Sequence, residues 1–328
     1  MRFLFDPAFW VRSLWLPTFV FLVHCTAGRF HDREHNQKLL ERLDEFISQL
    51  EEQIAGAAPE PARVEMTKSL GRGELLREKV RGALSQIERE ESRHAHPQET
   101  QARRMRTPGR NRFSYNAQVV VDAAQSVITA QEVVSDANDE HQLVPMMEAA
   151  KENLGLEAAQ TLADCGYSSA SQLAAAAERS SSGLYVPLPR HVQNSAKNPY
   201  HCSQFKWDSS RDVVICPQGA SLKFHHQRSR SGQAVRLYRD CSVCARCPVR
   251  GQCTTDRHGR SIEITPSWQR LQEHRRRMEQ EDSQALMRKR GAVIERVFAQ
   301  IKGHWNFHRW QFKGLTNVRA QWDLLCTT

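Results

Sequence analysis

The sequence predicts an α/β fold: a mixed sheet with flanking helices, preceded by a helical hairpin and interrupted by a cysteine-rich insertion. Three observations carry this. From Phe113 the hydrophobic period changes from helical to alternating, and the elements then run strand, strand, helix, strand, helix, strand, an order that a layered mixed sheet satisfies. Ahead of that stretch, His31 to about Glu91 is highly charged and helical in period. Six of the nine cysteines fall between Cys202 and Cys253, a clustering that suits a metal site in a reducing compartment better than a disulfide framework. At 328 residues the chain has room for two compact domains or for one domain with a large insertion.

Residues 1–28 form an apolar N-terminal segment. Arg2, the run from Leu14 to Val23 and then Cys25-Thr26-Ala27-Gly28 imitate a secretory signal, while the same residues also read as a buried strand, PTFVFLVHC, the candidate first strand of the core. Pro17 interrupts the run, which is too short for a membrane span of about 20 apolar residues.

Residues 29–112 are read as a charged helical hairpin and a linker. Leu39, Leu40, Leu43, Phe46, Ile47 and Leu50 recur at intervals of three and four, Leu75 to Ile87 does the same, and Ala-Pro-Glu-Pro breaks the pair. A coiled-coil arm for self-association fits these stripes equally, because a one-sided stripe does not say whether its partner is in cis. His94 to Arg112 is polar and basic, contains Pro97, Pro108 and Gly109, and reads as the linker.

Residues 113–190 carry the core pattern. Tyr115–Asp122 and Val127–Val134 are β-branched runs joined by a short link, an antiparallel pair. Asp139 opens a helix that Gly155 closes. A short strand then ends in Asp164, with Gly166 permitting a sharp turn; the Ala-rich helix Ser169–Glu178 and the strand GLYVPLP follow. Asp164 is read in two ways: as a turn aspartate, the common use of Asp-x-Gly, or as a carboxylate at a strand end where a cleft opens. Carboxylates brought together repel unless hard divalent cations sit between them, so a cluster implies Mg²⁺ or Mn²⁺. Two such ions support in-line phosphoryl transfer.

Residues 191–265 are a basic, cysteine-rich insertion. Cys241, Cys244, Cys247 and Cys253, with Cys202 and Cys216 upstream, offer more thiolates than one tetrahedral Zn²⁺ needs. A structural zinc ribbon, an iron–sulfur cluster and unmetallated thiols all remain open. Around them run Lys223, His225, His226, Arg228, Arg230, Arg236 and Arg239, a phosphate-contacting surface or a solvated basic loop. The whole chain has 46 Lys+Arg against 37 Asp+Glu, a formal +9, which points to a polyanionic partner, most commonly nucleic acid.

Residues 266–328 contain a long amphipathic helix. Leu286, Val293, Val297 and Ile301 form its apolar stripe, widened by Ile294 and Phe298. Arg288, Glu295 and Lys302 are spaced by seven and set one carboxylate between two cations, near Gly291. That face suits a metal-bound phosphate, and equally a solvated face laced with ion pairs. Beyond it, Trp305, Phe307, Trp310 and Phe312 interleave with His304, His308, Arg309 and Lys313, for base stacking or for core packing.

Six pieces in fixed order carry a family resemblance: YNAQVVVD from Tyr115, DANDEHQLVPMMEAAKE from Asp136, LADCGYSS around Asp164, Cys-Pro-x-Gly at Cys216, CARCPVRGQC from Cys244 and VIERVFAQIKG around Glu295. From about Gly28 onward the chain resembles the DDE transposases of bacterial insertion sequences, in the subgroup with an internal cysteine cluster. The resemblance implies an RNase H-like core holding Mg²⁺ or Mn²⁺ on Asp164 and Glu295, with Arg288 or Arg290, and Lys302, as DNA-contacting partners. It also implies Cys216, Cys244, Cys247 and Cys253 as Zn²⁺ ligands, DNA cleavage and strand transfer at transposon ends, a homodimer on DNA, no membrane, and a cytoplasmic location. The chain departs from the pattern where the first carboxylate belongs: His24 stands there, and Asp122 is the nearby acid offered in its place. Gln98-Glu99-Thr100 replaces an acidic stretch, no DNA-binding segment precedes the first strand, and the chain stops at Leu324-Leu325-Cys326. Together these imply a truncated or decayed copy. Two rivals follow: a non-enzymatic DNA-binding remnant, and a secreted zinc protein.

Overall fold

Asp32 starts the first long helix, its carboxylate accepting the His35 N–H at 2.8 Å, as an N-cap does for a donor the helix leaves unpaired. The computed structural model describes residues 14–15, 31–56, 60–107, 110–189, 192–194, 197–230 and 233–327. Within them the fold is mixed α/β. By internal contact the chain divides into two units, one of Met1–Pro17, Val120–Thr129 and Glu140–Ile294, the other of Thr18–Val119, Ala130–Asp139 and Glu295–Thr328.

The second unit opens with the expected hairpin, α1 (Arg33–Ala55) and α2 (Glu60–Arg89). Leu43, Ile47 and Leu50 are buried on α1, and Val80, Ala83 and Ile87 on α2, so the three-and-four spacing meets in cis. Gly73 permits the close approach: a β-carbon there would stand 3.3 Å from Cγ1 of Ile47. The linker expected over His94–Arg112 is partly a β-hairpin, β2 (Arg103–Thr107) with β3 (Arg110–Ser114). Its arginine-rich pattern reads as loop because only scattered positions such as Met105 and Phe113 are buried.

β4 (Asn116–Asp122) and β5 (Ile128–Val134) are the expected strand pair. They belong to a five-stranded sheet in the order β5-β4-β1-β6-β7, with β1 Leu14–Trp15, β6 Gln160–Leu162 and β7 Gly183–Tyr185. β1 pairs antiparallel with β4 and parallel with β6, and β6 pairs parallel with β7. The strand expected over 17–25, with His24, lies outside the described residues. Every residue of β4 is buried, so its polar members need partners. Asn116 and Gln118 find theirs in Asp139, donating to its Oδ1 at 2.7 and 2.6 Å. Asp139 is therefore a buried acceptor, and α3 (Leu143–Leu154) starts after Gln142 and ends, as expected, on Gly155 in the left-handed conformation.

In the first unit, α4 (Ala170–Arg179) occupies the Ala-rich stretch. The insertion builds its own five-stranded antiparallel sheet, ordered β12-β11-β10-β9-β8, from β8 (Lys206–Asp208), β9 (Val213–Ile215), β10 (Ser221–Arg230), β11 (Gln233–Tyr238) and β12 (Ile262–Ile264). Phe205, Val214, Leu222, Tyr238, Ile262 and Ile264 form its core, with Cys202, Cys216, Cys244 and Cys253 packed on it. Two short helices, α5 (Cys241–Ala245) and α6 (Arg250–Cys253), carry the later cysteines. α7 (Trp268–Glu279) is anchored where the buried His274 Nε2 meets the Val186 carbonyl at 2.8 Å. α8 (Glu281–Ala299) runs into a π-helical turn, Gln300–His304, and α9 (Leu315–Thr327) follows.

Candidate functional site

Asp164 follows the end of β6 and caps the short helical turn Cys165–Tyr167. Its Oδ1 accepts the Gly166 N–H at 2.6 Å, and Tyr167, the last residue of the turn, is fully buried. The turn use of Asp-x-Gly is thus present, with the half-buried side chain held in one orientation.

Asp122 ends β4 and is 4% exposed. Its Oδ2 accepts the Gln125 N–H at 2.7 Å, while Oδ1 is buried without a hydrogen-bond partner among the described residues. The sheet register sets it apart from Asp164. Asp122 is level with Leu14, which is level with Thr161, and β4 runs opposite to β6. Asp164 lies three residues past Thr161, roughly 10 Å further along the strand direction, so the sheet does not bring these two acids together.

Glu295 lies on α8 with its side chain exposed, while Val293, Ile294, Phe298 and Ile301 are buried, as the apolar stripe requires. Arg288 is exposed, and Arg290 buries its Nε without a hydrogen-bond partner among the described residues. Lys302 falls in the π-helical turn, where the wider winding departs from the seven-residue repeat that placed it in line with Glu295. Its ammonium lies 5.9 Å from the Phe298 ring centroid, and burial lowers its pKa. Phe307 and Trp310 are buried and meet edge-on, ring centroids 5.2 Å apart; packing, of the two readings, describes these rings.

The insertion gathers Cys216, Cys244, Cys247 and Cys253 around one cavity of about 240 Å³. Cys216 leads a tight Cys-Pro-Gln-Gly turn closed by Gly219 N–H on the Cys216 carbonyl at 2.8 Å. Gly259 lies against Cys244: with φ at +85°, a β-carbon there would stand 2.5 Å from Cys244 Cβ and 2.9 Å from its Sγ. Burial raises the Cys253 thiol pKa, and Cys244, Cys216 and Cys247 raise it further, against Arg260. The donors have the right chemistry for Zn²⁺. Even so, among the described residues no three His, Cys, Asp or Glu side chains converge as a group able to hold a metal.

The basic stretch around the cysteines is partly neutralised. Arg228 pairs with Glu263, and Arg236 pairs with Asp212 at 2.7 Å while covering the Phe224 ring; Arg239 meets the His225 imidazole at 2.7 Å, a contact that brings no negative charge. Cations that the sequence reading passed over stand elsewhere: Arg275 and Arg276 of α7 line an open groove with Trp207, Trp268 and Arg288. The signal available was the Arg-Arg-Arg run in an otherwise polar helix.

Residues 215–328 match the family model of the transposase DDE domain. Over that part of the chain the resemblance to the DDE transposases of insertion sequences is borne out. No curated protein and no solved structure matches the chain. No helix of the described residues is long and apolar enough to cross a membrane.

Proposed function

We propose that this is a transposase-type protein acting on DNA at the ends of an insertion sequence, as a homodimer, with Asp164 and Glu295 as its metal-binding carboxylates. The observation that carries this is the match over 215–328, because that segment contains Glu295 and the cations flanking it. An RNase H-like reading of the first sheet is supported by its topology: β1 lies between an antiparallel and a parallel neighbour, and Asp164 follows the parallel one. Carboxylate oxygens suit Mg²⁺ or Mn²⁺, and such a cation, when bound, supplies the positive charge that makes water or a 3′-hydroxyl nucleophilic. The chain's own part is to hold Asp164 in one orientation through Gly166 and to meet phosphates with Arg288, Arg290 and Lys302.

A second reading, a DNA-binding remnant without catalysis, is supported by one feature of the sequence: His24 stands where the family pattern has its first carboxylate. The two readings separate on duplex DNA carrying the element's terminal repeats. Mg²⁺-dependent nicking that Asp164→Asn abolishes supports the enzyme. Tight binding without nicking supports the remnant, and failure to bind DNA sinks both.

A further inference from the structure

We propose that the groove beside α7, whose lining contains neither candidate carboxylate, is a binding site for a single strand of DNA. The groove has a volume of about 1240 Å³, against about 240 Å³ for the cavity at the cysteines. One wall is β8, the outer strand of the insertion sheet, and the other is α7 and the start of α8.

Its chemistry is that of a strand-binding channel. Trp207 on β8 and Trp268 at the head of α7 pack one side against the insertion core. Both are only half-buried and line the groove with the rest of their surface. Rings presented in this way stack on unpaired bases whatever the sequence. The ionisable lining is five cations against two carboxylates, Glu273 and Glu279. Lys206, Arg275, Arg276 and Arg288 are among those cations, and Arg275 buries Nη1 without a hydrogen-bond partner among the described residues. Guanidinium groups here meet phosphates and stack on base planes. A duplex keeps its base faces stacked on one another, so recessed tryptophans favour a strand whose bases are free.

This inference rests on the DNA-directed function above and adds the form of DNA and the place where it binds. The test uses the full chain, a fluorescein-labelled single-stranded oligodeoxythymidine and a duplex of mixed sequence, with EDTA present so that no cleavage contributes. The double variant Lys206→Glu/Arg276→Glu changes two exposed side chains, and its circular dichroism checks the fold. The wild type is expected to bind the single strand more tightly than the duplex, with quenching of tryptophan fluorescence. The variant is expected to lose roughly tenfold or more of that affinity. A second variant, Trp268→Phe, is expected to reduce the quenching while keeping the fold. Unchanged single-strand affinity in the charge variant overturns the groove, as does preference for the duplex. If single-strand binding behaves as expected and nicking is absent, the groove stands and the enzymatic reading falls. If nicking depends on Asp164 and the charge variant binds normally, the reverse holds.

Discussion

Tyr115 donates its hydroxyl to Oε2 of Glu99 at 2.7 Å, with the tyrosine fully buried and the glutamate 3% exposed. The same oxygen accepts the Gly314 N–H at 3.1 Å, just ahead of α9. One buried carboxylate thus ties the approach to β4 to the start of the last helix, in the stretch where the family pattern has other acids. Tyr115→Phe leaves a buried acceptor short of a donor. It is expected to cost about 1–3 kcal/mol, the range for a buried polar group left unsatisfied, read as a shift in the urea midpoint. Glu99→Ala, which strands two donors, is expected to cost more; a smaller loss than for Tyr115→Phe would break the argument.

His96 gives the fold a dependence on acid. It is 5% exposed, its Nδ1 accepts the Gln98 N–H at 3.2 Å, and the His31 ring centroid lies 4.4 Å away. Burial, then His31 and Lys313, push its pKa down to about 4. The folded state therefore resists a proton that the unfolded chain accepts near the ordinary value of 6.5. Its stabilising contribution is complete above that value and is lost as pH falls from 6.5 toward 4, on the order of 3 kcal/mol in all. Urea titrations across this window should show a slope that His96→Gln flattens.

Those two contacts also mark what could and could not be read from the sequence. Hydrophobic periodicity placed α1, α2, β4 and β5, and Gly155 announced the end of α3, because each is a local signal with a local cause. Asp139 was legible only as a helix opener. Its place beneath Asn116 and Gln118 depends on β4 being buried on both faces, and that is settled by elements distant in sequence. The family resemblance, not the spacing, singled out the four thiols that share a cavity, and neither sets how closely their sulfurs converge. The shared face of Arg288, Glu295 and Lys302 assumed an unbroken α-helix, and the π-helical turn at Gln300–His304 changes the winding before Lys302.

Gly259 controls the packing at Cys244. With φ at +85° and only 2.5 Å between a β-carbon and Cys244 Cβ, Gly259→Ala is strained twice, by its backbone and by the contact. The expected result is displacement of Cys244 and faster maleimide labelling of that thiol. In the unaltered protein, the exposed Cys165 and Cys241 should label first. Cys253 follows because burial raises its pKa. Cys326, pushed up to about 12 by burial and by Asp323, should be slowest, since the thiolate is the reacting form. Mass spectrometry of timed labelling reads the order; early modification of Cys326 contradicts it.

Asp164 allows structure and chemistry to be separated by one atom. Its Oδ1 takes the Gly166 N–H at 2.6 Å, and asparagine keeps an oxygen able to accept that bond while losing the negative charge. Asp164→Asn should therefore leave the thermal midpoint nearly unchanged, within about 0.5 kcal/mol of stability, whereas Asp164→Ala removes the cap and should cost about 1 kcal/mol. Glu295 is exposed on α8, so Glu295→Gln is expected to be neutral for folding as well. Against that background, nicking of terminal-repeat DNA with Mg²⁺ reports on chemistry alone. Both conservative variants should abolish it while DNA affinity persists, since neither removes a cation that meets phosphate. Retention of nicking in either variant would show that the carboxylate in question is only a turn or surface residue.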